Sequence, residues 1–130
     1  MMREIKFRAW DGKMYHYLVA TSKEHNHYLQ VGEKGFWLYS SINGDLIACT
    51  NDGGILEQFV GSKDKNGIDI YENDLLKCGD FIGRIFYRSD GCKYMWEYIS
   101  SKGYFDATFH DAGYRSEVIG NIHQNPELLK

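Results

Sequence analysis

The chain of 130 residues predicts a mainly β protein: a small bent sheet or SH3-like barrel over about residues 55–122, with N-terminal β-hairpins packed on it and a short C-terminal helical turn. Three observations predict this. The composition carries 10 Tyr, 7 Phe and 3 Trp, residues that suit a pleated, half-buried surface. It carries 14 Gly against 1 Pro, which favours tight turns. Short apolar stretches with two-residue periodicity recur between turn signals along the whole chain.

The elements follow in order. Residues 3–10 alternate, with Ile5, Phe7 and Ala9 on one face and Lys6, Arg8 and Trp10 on the other. Asp11-Gly12 is a hairpin signal, so Lys13–Val19 is expected to return as a second strand. Residues 20–27 are polar and read as a loop. Residues 28–31 predict a short strand, closed by a Gly32–Gly35 turn. Residues 36–42 are apolar on both faces: Phe36, Leu38 and Ile42 against Trp37 and Tyr39. Such a strand is either buried on both sides or covered by a partner. Asn43-Gly44 predicts another hairpin, leading into Asp45–Cys49. Asn51-Asp52-Gly53-Gly54 is the best internal boundary of a single domain. Residues 55–60 fit a strand or a short helix.

Residues 61–67 read as a polar loop. Ile68–Tyr71 and Leu75–Cys78 predict strands broken by Glu72-Asn73-Asp74, where Asn tolerates a left-handed turn. Phe81–Tyr87, Cys92–Ile99, Tyr104–His110 and Ser116–Ile122 predict further strands. Asn125-Pro126-Glu127 has the form of a helix start, Asn as N-cap and Pro in the first turn.

Charge and cysteines narrow the function classes. The net charge is −3. Residues 1–60 hold 6 basic and 7 acidic side chains, and residues 61–130 hold 9 and 11. A domain built for phosphate backbone carries a basic excess, and neither half has one. Cys49, Cys78 and Cys92 show no CxxC spacing, and their odd number suits a reducing interior. The opening residues lack an apolar h-region and no run spans a membrane, so the host cytoplasm is the expected location.

Three blocks resemble the YopX protein family of bacterial phages and prophages. They are Arg3-Glu4-Ile5-Lys6-Phe7-Arg8-Ala9-Trp10-Asp11 with Lys13-Met14; Gly61-Ser62-Lys63-Asp64-Lys65-Asn66-Gly67 with Ile70-Tyr71-Glu72-Asn73-Asp74; and Glu117-Val118-Ile119-Gly120-Asn121-Ile122 with Asn125-Pro126-Glu127-Leu128-Leu129. Ser62 stands where the family commonly has a Leu-like residue, and Asn73 where it commonly has Gly. The resemblance implies a mostly β fold and a phage origin, and it supplies no catalytic residues.

Motif by motif, architecture outweighs chemistry. His25-Asn26-His27 is a loop tripeptide that would need a further ligand to hold a metal. Counted from Asp64, an EF-hand would need an oxygen ligand, Gly and Glu where Ile68, Asp69 and Leu75 stand. Asp64, Asp69, Glu72 and Asp74 are therefore expected to cap turns and face water. Asp11-Gly12-Lys13 reads as a turn before it reads as a nuclease triplet. No P-loop, dinucleotide or nucleophile-elbow motif occurs, and no cofactor or metal is expected. Tyr94, Trp96 and Tyr98 predict a core face, with Lys93 and Glu97 on a solvated back.

The sequence thus favours a non-enzymatic module that binds a phage or host protein, or copies of itself, with Trp37 and Tyr39 as interface residues. The alternative is a nucleic-acid-binding module using Arg3, Lys6, Arg8 and Trp10. A metal-dependent hydrolase using the carboxylates between Asp69 and Asp74 ranks last.

Overall fold

The computed structural model describes residues 5–19, 27–79, 81–88, 93–98, 104–106 and 115–129. Arg3, the His25-Asn26 pair, Cys92, and the 20–26 and 107–110 segments of the expected elements lie outside them. The described residues are β-strands joined by turns, with two short 3-10 turns at Thr50–Asp52 and Pro126–Leu129. The mainly β class and the C-terminal helical turn stand. The chain divides into two compact units, residues 1–58 and 59–130.

The first unit begins with strands β1 (Lys6–Trp10) and β2 (Tyr15–Val19), paired from Lys6↔Val19 to Trp10↔Tyr15. The Asp11-Gly12 signal makes this hairpin. Asp11 Oδ1 accepts the N–H groups of Lys13 (2.7 Å) and Met14 (2.9 Å), and Gly12 takes φ 103°. On its other side β1 pairs with the first half of β6 (Ile55–Lys63), from Phe7↔Gln58 to Trp10↔Ile55. The undecided 55–60 segment is therefore a strand.

A second sheet orders β3 (His27–Gly32), β4 (Gly35–Ser40) and β5 (Leu46–Cys49) side by side. Glu33-Lys34 forms the two-residue turn between β3 and β4. Gly35 sits at φ 126°, and a Cβ there would collide with Thr50 Oγ1, the atom that accepts the Phe36 N–H. No other residue fits that position. The expected strand 36–42 ends at Ser40. Ile42 lies in the turn, 75% exposed, because Ser40 already closes the loop through Asp45 and Gly44. Ala9, Leu18, Phe36, Leu38 and Ala48 form the core, with Phe7, Leu29, Ile47 and Leu56 at its margin.

In the second unit the latter half of β6 pairs with β7 (Asp69–Tyr71). Gly61-Ser62-Lys63, expected as loop, continues the strand. A register shift between Phe59 and Lys63, with Gly61 at φ 96°, absorbs the polar residues as a bulge. The five-stranded antiparallel sheet is ordered β11 (Tyr104–Asp106), β10 (Lys93–Tyr98), β9 (Phe81–Arg88), β8 (Asp74–Cys78) and β12 (Glu117–Asn121). The corner before β8 turns at Asn73, φ 67°, the left-handed residue its sequence predicts. Its N–H donates to Ile85 and its C=O accepts from Ile122.

The sheet does not close, which corrects the SH3-like barrel and retains the bent sheet. Among the described residues β11 is three residues long and β12 is broken by a register shift between Val118 and Gly120. A barrel needs long edges that can meet in register. Val60, Ile70, Leu76, Ile85, Tyr94 and Trp96 fill this unit's core. The Trp96 indole lies on Gly83, where any Cβ would overlap it.

Candidate functional site: an aromatic sheet face

Alternation along β4 sends Phe36 and Leu38 into the core and leaves Trp37 and Tyr39 on the outer face, partly exposed. The two-residue turn fixes the register of β3, placing Tyr28 opposite Tyr39 and Gln30 opposite Trp37. The Tyr28 and Tyr39 rings stack with centroids 5.1 Å apart and planes 21° from parallel. Leu46 of β5 lies opposite Tyr39, and both Tyr28 and Leu46 are exposed. The outer face thus gathers Tyr28, Gln30, Trp37, Tyr39 and Leu46.

Trp37 and Tyr39 stand together as the sequence places them. Tyr28 and Leu46 are additions. The signal for Tyr28 was in the sequence, because a turn at Glu33-Lys34 makes paired residue numbers sum to one constant along the hairpin. Leu46 had no such signal, since a bulge between Leu38 and Tyr39 shifts the β4–β5 register.

The nucleic-acid alternative meets a different geometry. Arg8 is not on a solvated face. It is 3% exposed and its Nε donates to Glu57 Oε1 at 2.7 Å, with Glu57 1% exposed. Its guanidinium also lies 4.1 Å from the Tyr15 ring centroid. Taking two charges out of water requires such close pairing, and removing one partner of a buried pair costs about 3–5 kcal/mol. Arg8 is thereby committed to Glu57 and Tyr15. Trp10 packs on Tyr15 at 5.0 Å, and Lys6 is partly buried. Arg3 lies outside the described residues.

Two carboxylates of the acidic stretch, Asp64 and Asp74, are held by backbone amides. Asp64 Oδ1 accepts the N–H groups of Asn66 (2.8 Å) and Ile68 (2.9 Å), and Oδ2 accepts that of Val118 (2.9 Å), 54 residues away. Burial opposes ionisation of Asp64. The N–H groups of Val118, Ile68 and Asn66 and the charge of Lys65 outweigh it, so the carboxyl is held below its usual range. Asp74 Oδ2 accepts the Tyr71 N–H at 2.8 Å across the corner. These two residues cap turns as expected. They do not face water: both are buried, and Val118 reaches Asp64 from β12. Asp69 pairs with Lys63 at 3.6 Å. Among the described residues no three His, Cys, Asp or Glu side chains converge so as to hold a metal.

One further pair stands in the first unit. His16 Nε2 and Asp11 Oδ2 are 2.8 Å apart, and the His16 ring packs edge-on against His27 at 5.9 Å. The hydrogen bond from His16 holds the Asp11 carboxyl down at about 2, with the Met14 and Lys13 amides acting in the same direction. The pair pins the β1–β2 turn.

At the C-terminus, the Asn125 side chain does not serve as the expected cap. Its Oδ1 accepts the Asn121 N–H at 3.2 Å, so it ties the last turn back to β12.

No helix among the described residues is long and apolar enough to cross a membrane. The chain shares the fold of protein EF1440 from Enterococcus faecalis, whose crystal structure superposes with a TM-score of 0.56 at 27% identity, covering 97% of this chain and 98% of that one. No curated protein matches. The family profile described as YopX protein matches residues 6–130, so the three blocks at the start, middle and end belong to one continuous likeness, and the chain is a member of the YopX protein family.

Proposed function

We propose that this chain is a phage- or prophage-encoded, non-enzymatic binding module of the host cytoplasm that associates with protein partners, copies of itself among them, through the outer face of β3, β4 and β5. The single observation that carries the reading is the stacked Tyr28–Tyr39 pair beside Trp37 on the sheet face turned away from the core. Aromatic residues with few charges among them are what the centre of a protein interface presents. The carboxylates that could have served chemistry support the same reading, because Asp64 and Asp74 are engaged by backbone amides.

Light scattering after gel filtration tests it. The native chain should run above its 15.1 kDa mass at high concentration. Trp37→Ser with Tyr39→Ser should return it to a monomer with an unchanged far-UV spectrum. A complex that survives both substitutions would sink the assignment of this face.

A further inference from the structure

We draw no further inference here: the strongest candidate, the aromatic surface patch of Tyr28, Trp37, Tyr39 and Leu46 on the outer face of β3, β4 and β5, belongs to the site already described, and nothing in the structure shows what covers it.

Discussion

β4 and β10 are both short aromatic strands, and the tertiary structure treats them in opposite ways. β4 buries Phe36 and Leu38 and shows Trp37 and Tyr39 to its outer face. β10 is covered on both sides, with Tyr94 and Trp96 in the core and Met95 7% exposed on the back. The sequence predicts a solvated back at 93–97, and for 36–42 it leaves open burial on both sides or cover by a partner. Lys93 and Glu97 do reach solvent on that back, Glu97 with Arg84 at 3.2 Å. Met95 between them is buried, beside Phe86 in the register with β9. A central strand is shielded by what its neighbours carry, and β10 has a neighbour on each side in a five-stranded sheet. β4 is central only to a three-stranded one.

The largest expected effect breaks this comparison on the buried side. Trp96→Ala should cost about 3–5 kcal/mol, read as a drop in the urea midpoint, because the indole fills the space over Gly83. If the loss matched that of an exposed aromatic, the asymmetry between the strands would be unfounded.

An intermediate effect is acid sensitivity. Asp11 and Asp64 have folded pKa values below those of the unfolded chain, Asp11 at about 2 against 3.8. Each therefore stabilises the fold fully above the unfolded value, and that contribution is lost as pH falls toward the folded value. Stability should drop between roughly pH 5 and pH 2, and Asp11→Asn should remove about 1 kcal/mol of that dependence, a figure reduced for partial solvent screening. An acid titration unchanged by Asp11→Asn would show that the His16 contact does not hold the carboxyl down.

The smallest effect sharpens the comparison on the exposed side. Trp37→Ala should cost only about 1 kcal/mol in the monomer, since a partly exposed side chain gives up little transfer energy. Its consequence belongs in the association measured by light scattering. A midpoint shift as large as that of Trp96→Ala would make Trp37 a core residue and remove it from the interface.

Turns were legible in the sequence because their backbone conformation is a property of the residues themselves. Asp11-Gly12 and Asn43-Gly44 make their hairpins, and Asn73 adopts the left-handed corner. Strand order and the fate of Arg8 were not, because each depends on a partner far along the chain. Arg8 reads as a surface cation until Glu57, 49 residues later, is set beside it. Asp64 reads as a solvated turn residue until Val118 reaches it from β12.

The β class, the turn positions and the aromatic stock of the strands come from the residues themselves, since local sterics and two-residue periodicity act without knowledge of the rest of the fold. Packing settles which aromatic face stays outside, which carboxylates are buried and that the sheet stays open. Those outcomes depend on which strands become neighbours, and burial is a property of neighbours.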